Sequence, residues 1–137
     1  MREIKFREWD PIRQEAYGKY GLSYGDREDY DDMIAFRFSH TEYMGEDLIK
    51  DRVIEQYTGL KDVNGVEIYD GDILKRHNKR EFERDDYIGQ VIYVDEWAKF
   101  VFYVHDGLEF NLYKSDVTDY EIIGNIHEQP ELLEDRL

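Results

Sequence analysis

The chain has 137 residues, with 33 Asp and Glu against 18 Lys and Arg, a formal net charge of −15, and no Cys. That length fits a single core. The lack of Cys excludes a disulfide framework, a Cys-ligated zinc or iron–sulfur site and a thiol nucleophile, and the charge argues against non-specific affinity for DNA or RNA. No apolar run approaches the roughly 18–20 residues that span a bilayer, and the opening MREIKFREWD has no apolar signal segment. A soluble, cytoplasmic, acidic domain is therefore expected. An aromatic content of 15% argues for a folded chain despite the charge.

In chain order, Ile4 and Phe6 alternate with Lys5 and Arg7, the period of a half-buried strand, and Asp10-Pro11 stops it. Residues 12–32 are rich in Tyr, Gly and acid and show no regular period. A long acidic loop is expected there, packed in places by Tyr17, Tyr20, Tyr24 and Tyr30. Met33 to Phe38 reads as a short strand with Ile34, Phe36 and Phe38 on one face. Residues 47–57 fit both a helix face (Leu48, Arg52, Glu55) and a strand, with a strand over about 52–58 preferred.

Asn64-Gly65 between Val63 and Val66 predicts a tight type I′ hairpin, because both central residues tolerate positive φ. Asp70-Gly71 is a second turn, opening a strand at Ile73-Leu74. Residues 76–86 are charged and read as a solvated loop. Strands are then expected over Tyr87 to Val94, Trp97 to Val104 and Leu108 to Tyr113, joined by turns at Asp95-Glu96 and His105-Asp106-Gly107. Tyr120 to Ile126 is a last strand, its Gly124 suiting a bulge or close backbone approach. Pro130-Glu131 suits the start of a short C-terminal helix. The expected fold is mainly β: an antiparallel meander closing into a small barrel within one domain, residues 1–137.

The motifs of nucleotide and hydrolase chemistry (GxxxxGK[ST], GxGxxG, GxSxG, HExxH) do not occur. His40, His77, His105 and His127 are widely spaced and read as exposed. The carboxylates Asp26, Glu28, Asp29, Asp31 and Asp32 fail the calcium-loop pattern, with Asp31 at the sixth position and Arg37 at the twelfth. The pairs Asp70/Asp72 and Asp95/Glu96 fall in turn signals, where Asp bonds nearby backbone N–H groups. The basic run Lys75, Arg76, Lys79, Arg80 is cancelled by Glu81, Glu83, Asp85 and Asp86. Trp97 reads first as the opening core residue of a strand and second as an exposed contact for a partner. The candidate partner-binding set is therefore Asp26, Glu28, Asp29, Asp31, Asp32 and Trp97, and no catalytic, cofactor-binding or metal-binding residue is picked out.

Ile4 to Asp10, the block Gln56-Tyr57-Thr58-Gly59-Leu60-Lys61-Asp62-Val63-Asn64-Gly65-Val66-Glu67-Ile68-Tyr69-Asp70-Gly71-Asp72-Ile73, Gly89-Gln90-Val91, and Tyr120 to Leu133 together resemble the YopX family of phage and prophage proteins. The resemblance covers nearly the whole chain in the same order. It implies a small, mostly β protein acting inside a bacterium, with the acidic stretch around 12–32 as the place where such proteins vary, and it brings no reaction or catalytic residue. Two functions follow as expectations. One is a non-enzymatic binding or regulatory module that engages a host or phage protein, including mimicry of DNA by surface carboxylates. The other is a carboxylate-dependent, metal-assisted hydrolase or nuclease. Exposed strand edges also favour a homo-oligomer.

Overall fold

Strands occupy most of the described residues. A computed structural model describes residues 3–38, 53–77, 86–112 and 119–134. These hold β1 (Phe6–Trp9), α1 (Pro11–Tyr17), β2 (Leu22–Asp29), β3 (Ile34–Phe38), β4 (Val53–Lys61), β5 (Glu67–Tyr69), β6 (Asp72–Arg76), β7 (Tyr87–Val94), β8 (Lys99–His105), β9 (Leu108–Asn111) and β10 (Tyr120–Asn125). Single 3-10 turns occupy Asp95–Trp97 and Pro130–Leu133. Two units divide the chain between Tyr57 and Thr58.

In the first unit the strand order is β3-β2-β1-β4, and β4 runs on into the second unit, where β5 pairs with it. The long loop expected over 12–32 is instead a helix and a strand. Asp10-Pro11, which ends β1, also starts α1: the Asp10 carboxylate accepts from Ile12 N at 3.0 Å and Arg13 N at 3.2 Å, and Pro11 lacks the N–H that would go unpaired there. Gly18, left-handed at φ 67°, closes the helix through its N–H to the Gln14 carbonyl. β2 has no apolar alternation of its own, so its pairing with β1 and β3 decides its conformation. The buried side chains here are mostly charged: Arg7, Glu8, Asp10, Arg13 and Glu55. Phe6 meets Phe36 edge-to-face at 5.0 Å.

The second unit is built on apolar burial. Ile68, Leu74, Val91, Phe102, Val104 and Tyr120 form its core, and Phe102 touches both Phe110 (6.1 Å) and Tyr120 (5.0 Å). The ladder runs β10-β6-β7-β8-β9. Its antiparallel character and the short C-terminal helical turn match the expected class, but the barrel does not close. Asp70-Gly71 carries the chain from β5 to β6, which belong to different sheets. The outer side of β10 is met by the 62–63 loop, with Val63 N donating to Tyr120 O at 2.9 Å and Ile122 N to Asp62 Oδ2 at 3.0 Å. Among the described residues no ladder joins β9 to β10.

Two local expectations change. The 62–66 turn is wider than a type I′ turn: Gly65 N bonds Asp62 O, Asp62 N bonds Val66 O, and Gly65 at φ 80° is the residue that takes positive φ, while Asn64 does not. The Asp62 side chain already satisfies Asn64 N and Val66 N, so the left-handed step is needed once. Trp97 is 55% exposed, because Asp95-Glu96-Trp97 winds into a 3-10 turn and the strand starts at Lys99. Gly124 behaves as expected: the register shifts between Ile122 and Gly124, and a Cβ there would meet Gln129 Oε1 at 2.7 Å. At Gly89 a Cβ would lie 2.3 Å from the Tyr103 carbonyl oxygen. Since backbone cannot give way cheaply, Gly89→Ala is expected to cost about 2–3 kcal/mol in urea unfolding.

Candidate functional site

β2 and β3 form a hairpin whose register pairs Gly25 with Phe38, Asp26 with Arg37, Arg27 with Phe36, Glu28 with Ala35 and Asp29 with Ile34. Tyr30 N donates to Met33 O at 2.8 Å and closes the tip. Alternation along β2 puts Tyr24, Asp26 and Glu28 on one face and Arg27 and Asp29 on the other. The acidic cluster expected in a loop is thus laid out on a strand and its turn, at fixed spacing.

Two of the cluster's side chains, Glu28 and Asp29, are occupied locally. Arg37 Nε sits 3.0 Å from Glu28 Oε1, a diagonal cross-strand pair. Tyr30 OH donates to Glu28 Oε2 at 2.6 Å. That bond, with the Glu28 charge, holds the Tyr30 phenol above its ordinary pKa, and Arg37 pulls weakly the other way. Arg27 Nε meets Asp29 Oδ1 at 2.8 Å on the opposite face. Asp26, Asp31 and Asp32 have neither ion pair nor hydrogen bond with another described side chain.

The apolar part of this surface has no signal in the residue types. Tyr24, Tyr30, Met33 and Ile34 are each about half exposed, and Tyr17 and Tyr20 are exposed too, where packing was expected. Tyr24 shares the Asp26 face, Tyr30 and Met33 close the tip, and Ile34, opposite Asp29, stands on the other face. Exposed Tyr and Met beside unpaired carboxylates form a contact surface of mixed character. Trp97 belongs to the second unit, with the Lys99 ammonium 4.8 Å from its ring centroid.

The other candidates resolve into structural contacts. His77 faces Asp86 at 3.4 Å and Glu121 at 3.1 Å, and the His105 ring donates to the Asp106 carbonyl. Lys75 pairs with Asp86 at 3.7 Å, and Arg76 stacks on Phe110 at 4.2 Å. Lys79, Arg80 and His40 lie outside the described residues. Among the described residues no three His, Asp or Glu are arranged as metal ligands.

Polar residues of the long central block bond to backbone. Thr58 Oγ1 donates to Ile68 O and accepts from Leu60 N, and Asp72 accepts from Tyr69 N. Asn125 Oδ1 accepts from His127 N and Glu128 N, while Gln129 Oε1 accepts from Asn125 N. Of the described helices, none is long and apolar enough to cross a membrane.

The model of the YopX protein family matches residues 5–134. Among solved structures, the crystal structure of protein EF1440 from Enterococcus faecalis is similar at 25% identity and a TM-score of 0.62, covering 97% of this chain and 99% of that one. No curated protein matches the chain.

Proposed function

The chain belongs to the YopX family, and on that premise we propose that it is a non-enzymatic binding or regulatory module of a phage or prophage, acting in the bacterial cytoplasm on a protein partner. One observation carries the reading: the β2–β3 hairpin sets Asp26, Asp31 and Asp32, unpaired among the described residues, beside exposed Tyr24, Tyr30 and Met33. Large half-exposed side chains supply contact area at low entropic cost. The unpaired carboxylates favour a partner surface rich in Lys and Arg and speed its approach. The basic face of a DNA-binding protein has this chemistry. The use of the central block's polar groups for backbone bonding also supports a framework that presents a surface.

The test is capture from host lysate at two salt concentrations, with the wild type and with Asp26→Lys/Asp31→Lys/Asp32→Lys. Capture of a basic protein is expected to weaken about tenfold in the triple variant and to fall with salt. Stability should move by no more than about 0.5 kcal/mol per exposed substitution. A partner held equally well by the triple variant would move the contact surface away from the hairpin.

A further inference from the structure

We propose that α1 and the turn behind it form a strap that undocks from its ladder as a unit, with Arg13 as the latch. Seven residues are too few for a helix to persist on its own propensity, so docking must hold it. Apolar burial contributes little: Pro11, Ala16 and Tyr17 are exposed, Ile12 is half-buried, and Arg13 is the helix's one buried residue.

The Arg13 guanidinium reaches both neighbours of the helix. Nη1 lies 3.0 Å from Glu8 Oε1 on β1 and 3.7 Å from Asp10 Oδ2 at the helix cap. Nη2 donates to Gly21 O at 3.0 Å and Nε donates to Tyr20 O. The ends of the strap are joined by Asp10 N to Gly21 O at 2.9 Å, and Gln14 Oε1 accepts from Gly21 N at 3.0 Å. The planar fork presents its donors together, so a shift that breaks one bond weakens the rest, and docking is two-state.

Strain opposes the latch. Tyr20 stands at φ 70°, a left-handed conformation that costs a residue with a side chain free energy, and its carbonyl is the one Arg13 holds. The fit is also close: a Cβ at Gly21 would lie 2.4 Å from the Trp9 ring. Polar bonds without an apolar anchor characterise the low-stability end of local opening. Undocking would break the contact between Arg13 and Glu8.

Native-state hydrogen exchange tests this without reference to any partner. The reporters are the Gln14 and Gly18 amides, bonded to Asp10 O and Gln14 O, and the core comparison is the Gly71 amide, bonded to Val91 O. In the wild type, Gln14 and Gly18 are expected to exchange with a shallow dependence on denaturant and Gly71 with a steep one. Arg13→Met should speed Gln14 and Gly18 by about tenfold or more and leave Gly71 unchanged. Tyr20→Asn, which tolerates the left-handed conformation, should slow them. Gln14 and Gly18 exchanging with the same steep dependence as Gly71 would overturn the proposal, as would Arg13→Met leaving their rates unchanged. If Arg13→Met does not fold, the wild-type denaturant dependence and the Tyr20→Asn variant decide alone.

Discussion

Asp62→Ala is expected to lower the stability of the second unit by about 3–4 kcal/mol. One carboxylate there serves three backbone donors. Oδ1 accepts from Asn64 N and Val66 N, both at 2.9 Å, and Oδ2 accepts from Ile122 N at 3.0 Å. The first two bonds shape the turn between β4 and β5. The third ties that turn to β10, 60 residues away in sequence. Alanine removes both acceptor oxygens, and with them all three bonds, at a site only 7% exposed. Asp62→Asn keeps one acceptor oxygen and turns an amide N–H2 on the remaining donor, so about half the loss is expected. Urea unfolding followed through the amide signals of β6 to β8 reads both variants. A loss below about 1 kcal/mol for alanine would mean that water replaces the carboxylate.

The same residue shows where the sequence is legible. Asp62-Val63-Asn64-Gly65 announces a turn from residue types alone, and β7, β8 and β9 follow from alternation in Tyr87 to Val94 and beyond. The type of turn did not follow, because it depends on which backbone groups the Asp62 side chain satisfies. The split into two sheets was hidden too: Asp70-Gly71 reads as any hairpin turn, and β10, which pairs with β6, lies far away in sequence. In the first unit the signal fails for a different reason. Leu22 to Asp29 is polar on both faces, and only pairing with β1 and β3 makes it a strand. The acids of the candidate surface were visible as a cluster, while its apolar half was not, since exposure belongs to the hairpin and not to Tyr24, Tyr30 or Met33 as residue types. Arg7 and Arg13 read as ordinary surface charges, and nothing local marks them as buried.

Arg7 and Glu55 carry the second large expectation. They stand directly opposite on β1 and β4, with Nε 2.9 Å from Oε1 and side chains 2% and 4% exposed. Glu55→Leu leaves a guanidinium buried without its carboxylate partner and is expected to cost about 3–5 kcal/mol. Arg7→Met removes the guanidinium that bonds Glu55 and should cost about as much. The double variant Arg7→Met/Glu55→Leu removes both desolvation penalties and fills the space with apolar side chains, so it should recover most of the loss or exceed the wild type. Salt gives an independent check. A pair this buried is screened little, so its midpoint should hardly respond to NaCl. The exposed pair Arg27–Asp29, at 54% and 66%, should contribute under about 1 kcal/mol and lose that with salt. Recovery in the double variant would identify the pair as a specifier of the β1–β4 register, since a shift by one residue would set Arg7 against Ile54 or Gln56. Equal losses in the double and single variants would instead mean that each side chain is held by neighbours other than its partner, and the ion pair would have no net role in stability.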